Sequence, residues 1–219
     1  MIISHGHIEI GASLLSAPRS RLVEIADALV KGGVQRLHWD VFDGGFAAGD
    51  GFDIADAAGV HARIDVPSEA HIMAKDATAL ALEWSQICDR VVVHVEQDAG
   101  PGPSIEAVRT GRARAAVAIN PDTPLAALTP WLRQVPDVLV MSKHPGRTGA
   151  PFQPATTQRL SALRSTHPQV RLGVDGAVTL ATAHDAIQAG ASWIISGTDL
   201  LSAPDPGAWV QAATGFTIT

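Results

Sequence analysis

Two histidines and two aspartates lie at the ends of apolar stretches of this sequence, where polar side chains call for an explanation. His38 and Asp40 belong to one stretch, His71 to a second and Asp175 to a third. Residues two apart on a strand project to the same face, so His38 and Asp40 should point together. Each residue alone is typical of a hydrogen-bonded core or a turn, but imidazoles and carboxylates from three strands form a ligand set for Zn²⁺, Fe²⁺ or Mn²⁺. We therefore expect one divalent metal ion, bound by all four residues.

The chemistry that suits such a site is the removal of a proton next to a carbonyl group. A metal ion acts there as a Lewis acid and stabilises the ene-diolate. Two carboxylates on opposite faces of that plane can remove the proton on one side and return it on the other. Asp40 and Asp175 are the predicted acid and base, and the product is an epimer. Asp43 is expected to cap the following loop instead of serving as a base.

Three glycine-containing segments follow later strands and are candidates for binding an anion. They are residues 143–149, 175–177 and 196–199. Backbone N–H groups in such turns can bind a phosphate, and barrels often place a phosphate after strands seven and eight. Each glycine alone is an ordinary turn residue, and an Arg147 side chain directed to solvent is the alternative to a contact. The predicted ligand contacts are Gly146, Arg147, Thr148, Gly149, Gly176, Ala177, Gly197 and Thr198.

These residues must be positioned by an alternation of short β-rich segments and amphipathic helical segments. Eight such units predict an α/β fold, a (β/α)8 TIM barrel with its working groups at the carboxyl ends of the strands, in one domain over residues 1–219. An open doubly wound sheet is the alternative. The predicted strands span residues 8–15, 34–41, 68–73, 90–94, 113–119, 138–141, 170–174 and 193–196. The predicted helices span residues 20–31, 53–58, 77–86, 125–132, 154–165 and 180–189.

Composition excludes several classes of protein. The 219 residues carry a formal net charge of -6 without a lysine or arginine run, so we expect no nucleic-acid partner. We expect no membrane partner either, because no 18-residue apolar run occurs. Cys88 is the single cysteine, which excludes an intrachain disulfide and favours a cytoplasmic protein in which Cys88 is a core residue.

The ordered series of strand-end motifs resembles the ribulose-phosphate 3-epimerase family along most of the chain. The series is far more specific than any one motif. The matching segments are Ala12–Ala17, His38–Gly44, His71–Met73, His94–Glu96, Ala118–Pro124, Met141-Ser142, His144–Gly146 with Gly149, and Val174–Gly176.

The resemblance implies a ribulose-phosphate-binding type of barrel and an isomerase of carbohydrate metabolism. It assigns His38, Asp40, His71 and Asp175 to the metal ion. It also assigns Asp40 and Asp175 to proton transfer. It further implies that the substrate, a phosphorylated ketose, contacts Ser13 and His71 and that Met73 and Met141 line the reacting centre. The reaction implied interconverts D-ribulose 5-phosphate and D-xylulose 5-phosphate, as in the pentose phosphate route. We also expect a homo-oligomer.

Several positions depart from the family pattern and leave the substrate open. Phe42 stands where members usually have methionine, Lys143 and Arg147 add positive charge after the sixth strand, and Ala177 replaces a glycine. The alternatives are 3-epimerisation of another ketose phosphate, such as a hexulose or tetrulose phosphate, and a barrel that binds sugar phosphates without turnover. A phosphate-barrel decarboxylase or synthase is disfavoured, because no Asp-x-Lys-x-x-Asp motif occurs.

Overall fold

Eight parallel strands form a closed barrel in which each strand pairs with the next and the eighth returns to the first. The computed structural model describes residues 7–147 and 149–215. The predicted TIM barrel is confirmed and the open sheet is wrong. The strands are β1 (Glu9–Ser13), β2 (Arg36–Phe42), β3 (Ser68–Met73), β4 (Arg90–His94), β5 (Arg114–Ile119), β6 (Asp137–Met141), β7 (Arg171–Asp175) and β8 (Trp193–Ser196).

Helices cover the outside of the barrel and bury one face each against the strands. Their apolar residues recur at helical spacing, as with Leu22, Ala26 and Leu29 on the first helix, which are all buried. The helices are α1 (Leu22–Lys31), α2 (Ile54–His61), α3 (Thr78–Trp84), α4 (Gly102–Arg109), α5 (Ala155–Thr166), α6 (Leu180–Gln188), α7 (Thr198–Leu201) and α8 (Pro206–Thr214), with short 3-10 helices at Arg19–Arg21 and Leu125–Leu128.

The helical segments depart from expectation at three places, each explained by proline or glycine. The helix predicted over residues 125–132 is only the 3-10 turn Leu125–Leu128, because Pro130 has no N–H for a continuing helix. The helices α4 and α8 were not predicted, since each begins within a Pro-Gly sequence that indicates a turn. Proline is nevertheless favoured in the first helical turn, where its missing N–H has no partner to lose.

Strand alternation places the polar residues of β2 inside the barrel. Trp39 points outward and packs edge-on against Phe52, with ring centroids 4.9 Å apart. His38 and Asp40 therefore point inward, as predicted. In the register of neighbouring strands, Asp40 is paired with His71 and Met141 with Asp175. The backbone pairing alone thus brings the candidate ligands to one end of the barrel.

The middle of the barrel interior is apolar and tightly filled. The Trp193 ring lies across it, and a Cβ built on Gly173 would come within 2.3 Å of that ring. Glycine at this position therefore makes room for the indole. The side chains that pack together inside the barrel are Val92, Ala116, Ala118, Leu139, Met141, Trp193 and Ile195.

Charged residues close the amino-terminal end of the barrel. Glu9 lies within 3.2 Å of Arg36, 3.1 Å of Arg90 and 3.2 Å of Arg171. Burial alone would raise the pKa of Glu9, but the three guanidinium groups lower it to about 2. This end of the barrel is therefore held together by a buried ionic network that spans β1, β2, β4 and β7.

Two expectations about the rest of the chain concern Cys88 and membranes. Cys88 is buried, and burial raises the pKa of its thiol to about 12, so the predicted core role is confirmed. Among the helices of the described ranges, none is long and apolar enough to cross a bilayer.

Candidate metal and active site

The four predicted ligands converge at the carboxyl ends of β2, β3 and β7. One donor atom from each of His38, Asp40, His71 and Asp175 lies within 4.8 Å of the others. His71 Nδ1 is 3.7 Å from Asp40 Oδ1 and 3.5 Å from Asp175 Oδ2, and His38 Nε2 is 3.5 Å from Asp40 Oδ1. The structure thus brings together the complete set that the sequence indicated.

The nitrogen atoms at the centre of this cluster fit a metal ion. His38 Nε2 and His71 Nδ1 are buried and have no hydrogen-bond partner within the described residues. A buried polar atom without a partner costs free energy, so two such atoms at one point indicate that a partner is missing. Two imidazoles and two carboxylates match the donors that Zn²⁺, Fe²⁺ and Mn²⁺ accept. The residues present therefore suit a divalent cation.

The charges of the cluster favour positive charge at its centre. Burial alone would lower the pKa of both imidazoles, but Asp40 raises that of His38, and Asp175 and Asp40 raise that of His71. Burial of Asp40 would raise the pKa of this carboxyl, but His38 and His71 hold it far below its usual range. Asp40 is therefore a carboxylate in the resting site. Metal binding at such a site displaces protons from the imidazoles.

His38 is oriented by a buried carboxylate. Its Nδ1 lies 2.8 Å from Glu69 Oε1. Glu69 also accepts hydrogen bonds from Arg90 Nη1 at 2.8 Å and from Trp193 Nε1 at 3.1 Å. Because a carboxylate accepts hydrogen bonds and cannot donate them, His38 donates from Nδ1, which leaves Nε2 facing the cluster. This arrangement is the carboxylate–histidine–metal pattern of metal sites.

The two candidate acid-base residues differ in their surroundings. Ser13 Oγ donates a hydrogen bond to Asp40 Oδ2 at 2.7 Å. The side chain of Asp175 is 14% exposed, against 9% for Asp40. Both carboxylates therefore reach the open side of the cluster, and Asp40 is the more constrained of the two.

A cavity of about 600 Å³ opens directly above the cluster. This volume is in the usual range for small-molecule sites. Asp40 and Asp175 lie in its floor, while His38 and His71 lie beneath it among the ligands. The predicted contact residues that line it are Ser13, Met73, Met141, Gly146, Gly149, Gly176, Ala177, Gly197 and Thr198.

Three predicted contacts are not placed on this cavity, and one of them is His71, which is fully buried beneath it. Arg147 is exposed and is absent from the described lining, so its contact with a ligand stays a prediction. Thr148 lies outside the described residues. Lys143, by contrast, lines the cavity and donates from Nζ to the Arg147 carbonyl at 3.1 Å.

Tight turns form the far wall of the cavity. Gly176 and Ala177 have positive φ angles of 105° and 50°, and Ala177 is the only non-glycine residue with positive φ in the described part of the chain. The amino end of α6 is already engaged, because Asp199 accepts from Leu180 N at 3.1 Å. An anion at this wall would therefore use the N–H groups of the turns and not those of α6.

Loops from β2 and β6 meet over the cavity. A Cβ on Gly146 would lie 2.3 Å from the Ala48 carbonyl oxygen, so only glycine permits this approach. Asp43 accepts hydrogen bonds from Gly45 N at 2.8 Å and Lys75 N at 2.7 Å. The expected loop-capping role of Asp43 is thereby confirmed.

The sequence matches the model of the ribulose-phosphate 3 epimerase family over residues 9–201. The chain belongs to this family. The resemblance inferred from the motifs is therefore confirmed, as is the expectation of an isomerase that acts on carbohydrates. The matched range includes all four candidate ligands and the turns that line the cavity.

Individual relatives support the same assignment. The chain is 31% identical to ribulose-phosphate 3-epimerase from Methanocaldococcus jannaschii, over 90% of this chain and 86% of the relative. It is 30% identical to the chloroplastic ribulose-5-phosphate-3-epimerase of Arabidopsis thaliana, over 92% of this chain and 74% of the relative. It is 28% identical to the Mycobacterium leprae ribulose-phosphate 3-epimerase, over 93% and 92%.

Solved structures with low sequence identity share the fold. The 3-hexulose-6-phosphate synthase of Salmonella typhimurium superposes with a TM-score of 0.74 at 16% identity, covering 95% of this chain and 97% of that one. KGPDC from Streptococcus mutans superposes with a TM-score of 0.69 at 12% identity, covering 95% and 96%. These likenesses concern the barrel alone.

Sequence reasoning assigned no role to three polar residues that surround the candidate ligands. Glu69, His94 and Glu96 are hydrogen-bonded directly or indirectly to the ligand histidines. One signal was available for Glu69, which lies two residues before His71 and therefore on the same face of an apolar strand. A charged residue on the inner face of a buried strand requires partners.

Proposed function

We propose that this protein is a metal-dependent 3-epimerase of a ketose phosphate, acting on D-ribulose 5-phosphate and D-xylulose 5-phosphate or a close analogue. The observation that carries the proposal is the pair of carboxylates, Asp40 and Asp175, in one four-ligand cluster at the floor of the cavity. Membership of the ribulose-phosphate 3-epimerase family supports the same reaction.

The cavity separates a reacting end from an anion-binding end. Met73 and Met141 provide apolar walls beside the two aspartates and limit the access of water. The turns at Gly176-Ala177 and Gly197-Thr198 supply backbone N–H groups at the opposite wall, where the phosphate would bind. A ketose phosphate bound between the two ends presents its carbonyl and neighbouring carbon to the cluster.

Proton transfer is assigned to this chain's own carboxylates. A divalent metal ion held by the four ligands would supply Lewis acidity at the substrate carbonyl. One aspartate removes the proton at C3 on one face, and the other returns a proton on the opposite face. The hydrogen bond from Ser13 fixes the Asp40 carboxylate for this task. The two carboxyl groups exchange protonation states when the epimer forms, so no net proton is consumed, and transfer of a proton between them restores the starting state.

A different ketose phosphate remains a second candidate because of two side chains that line the cavity. Phe42 stands where the family usually has methionine, Lys143 adds a positive charge after the sixth strand, and both line the cavity. Phe42 is packed against Gly49 and Gly51, where a Cβ would lie 2.9 Å and 2.6 Å from its ring. A longer hexulose or a shorter tetrulose chain would meet this altered wall.

We further propose that residues 1–219 form one barrel domain and that the protein is cytoplasmic and homo-oligomeric. Its place in metabolism would then be the interconversion of pentose phosphates.

The first test is proton NMR in D2O with a panel of ketose phosphates, beginning with D-ribulose 5-phosphate. Exchange at C3 together with epimer formation would support the proposal, and relative rates would name the preferred substrate. No exchange with any member by metal-loaded protein would overturn it in favour of a barrel that binds without turnover. Chelation should abolish the activity and a divalent metal ion should restore it.

Substitution of one aspartate gives a sharper test of the two-carboxylate assignment. Asp175→Asn should slow epimerisation by about 10²–10⁴-fold, the usual contribution of a general acid or base. The remaining Asp40 should still exchange the C3 proton of the one epimer whose proton faces it, and Asp40→Asn should show the reverse preference. Metal content is measured for each variant, because both residues are also ligands. Full epimerisation by metal-loaded Asp175→Asn would refute the assignment.

A further inference from the structure

A buried chain of hydrogen bonds leads away from the metal-ligand candidate His71. His71 Nε2 lies 2.9 Å from His94 Nε2, and the two rings are nearly parallel, with an interplanar angle of 19°. His94 Nδ1 lies 2.9 Å from Glu96 Oε2. Both histidine side chains are fully buried. The motif His94–Glu96, which the proposed chemistry leaves unused, thus contacts the cluster from behind.

Glu96, at the end of this series of hydrogen bonds, determines which nitrogen atoms donate and which accept. Burial would raise the pKa of Glu96, but its hydrogen bond to His94 lowers it, so Glu96 is a carboxylate that only accepts. His94 lies between this carboxylate and His71, and a neutral imidazole has one N–H to donate. That N–H is on Nδ1 and faces Glu96. His94 Nε2 therefore accepts, His71 Nε2 donates, and the lone pair of His71 lies on Nδ1.

This assignment of the lone pair to His71 Nδ1 agrees with the position of the four candidate ligands. His71 Nδ1 is the buried nitrogen that faces Asp40 and Asp175, and within the described residues it has no hydrogen-bond partner. The two candidate ligand histidines are therefore oriented by different hydrogen-bond partners. His38 donates directly to a carboxylate, whereas His71 reaches its carboxylate through a second imidazole.

The outer end of the chain is fixed by neighbouring elements. Asn120 N, which follows β5, donates to Glu96 Oε1 at 2.8 Å. The Phe46 ring, from the loop after β2, lies 4.8 Å from the His94 ring between centroids. Glu96 and His94 thus have little freedom to reorient. The fold therefore determines which atom donates in each hydrogen bond from His71 to Glu96.

We propose that His94 and Glu96 are positioning residues that hold His71 in its metal-binding tautomer and thereby set the affinity and geometry of the metal site. The inference rests on the proposed metal-dependent function. It assigns no contact with the substrate to either residue. Residues hydrogen-bonded to metal-bound histidines typically change metal affinity by about 10–100-fold, and we expect an effect of this size.

The test is Co²⁺ binding to the full-length protein, followed by its visible absorption and by competition with a chromophoric chelator. His94→Phe removes the acceptor for His71 Nε2 and should raise the Co²⁺ dissociation constant by about 10–100-fold. His94→Gln retains an acceptor oxygen and should recover part of the loss. Glu96→Gln keeps the hydrogen bond but removes the charge, so its affinity should fall between those of wild type and His94→Phe. The visible spectrum should change in the same order.

Asp122→Asn is the matched control. Asp122 is an exposed carboxylate in the loop after β5, and it pairs with His144 at 2.7 Å. Its substitution should leave Co²⁺ affinity and spectrum unchanged. Circular dichroism and thermal unfolding accompany each variant, so that a loss of folding is separated from a loss of metal binding.

The outcomes distinguish this inference from the proposed function. Co²⁺ affinities within twofold of wild type in folded Glu96→Gln and His94→Gln, with an unchanged spectrum, would overturn the positioning role and leave the epimerase proposal intact. Wild-type protein that binds no Co²⁺ would overturn both. If His94→Phe fails to fold, the two conservative variants decide the question.

Discussion

The ionic network at the amino-terminal end of the barrel makes the stability of this protein depend on pH in a calculable way. Glu9→Gln is the perturbation, because it keeps the shape of the side chain and removes the charge that faces Arg36, Arg90 and Arg171. Lowering the pKa of Glu9 from 4.5 to about 2 amounts to about 2.5 pH units. At about 1.4 kcal/mol per unit, the native state gains about 3 kcal/mol from this carboxylate.

The lowered pKa of Glu9 determines how stability changes with pH. A carboxyl whose pKa is lower in the folded protein stabilises it fully above the unfolded value, 4.5, and this contribution disappears as the pH falls towards 2. Arg90 retains Glu69 at 2.8 Å and Asp137 at 3.5 Å in the variant, so its charge stays compensated in part. The difference between wild type and variant should therefore be about 3 kcal/mol or somewhat less at pH 7.

The assay is urea unfolding followed by tryptophan fluorescence at several pH values between 7 and 2.5. The free energy of unfolding of wild type should exceed that of Glu9→Gln at pH 7, and the two curves should converge below pH 4. Glu83→Gln, which changes an exposed carboxylate, is the control and should track wild type throughout. A difference that stayed constant down to pH 2.5 would refute the electrostatic reasoning and indicate a loss of packing instead.

Three further predictions follow from individual contacts. Cys88 should resist iodoacetamide in the native protein, since its pKa is raised from 9.0 to about 12. The thiolate fraction at a given pH is then lower by about 1000-fold. Equal labelling rates in native and urea-unfolded protein, measured by mass spectrometry, would contradict this prediction. Gly173→Ala should destabilise the barrel by about 1–3 kcal/mol in urea unfolding because its methyl group meets Trp193. The control Gly59→Ala on helix α2, which has open space around it, should be neutral or stabilising by up to about 1 kcal/mol. Lys143→Met should raise KM for the ketose phosphate by about tenfold with little change in kcat, as expected for one lost charged contact; an unchanged KM would show that Lys143 does not bind the substrate.

The sequence predicted the strands and the convergence of the four candidate ligands well for one physical reason. Apolar runs of a parallel barrel are buried on both faces, so a polar residue such as Asp40 or Asp175 at the end of such a run stands out. Closure of the barrel then forces these ends together, whatever the loops do. The prediction therefore depended on periodicity and position, which a single sequence contains.

Other features depend on contacts that a sequence does not contain. The link from His71 through His94 to Glu96 requires knowledge of which side chains meet across strands β3 and β4. The exposure of Arg147 and the position of Lys143 at the cavity depend on the backbone of one loop. The helix α4 was missed because Pro101 and Gly102 suggest a turn, whereas the structure uses them to begin a helix.

The distribution of the four ligands along the chain has a consequence for folding. His38 and His71 come from the first half of the chain, whereas Asp175 follows His71 by 104 residues and reaches it across the barrel. A metal ion bound to all of them would join distant parts of the chain, as a disulfide does in proteins that have one. It would bind the closed barrel and not the open chain, so at a free concentration of about 1000 times its dissociation constant it would stabilise the closed form by about 4 kcal/mol. In a chain with a single cysteine, the catalytic centre would thus also serve as its long-range cross-link.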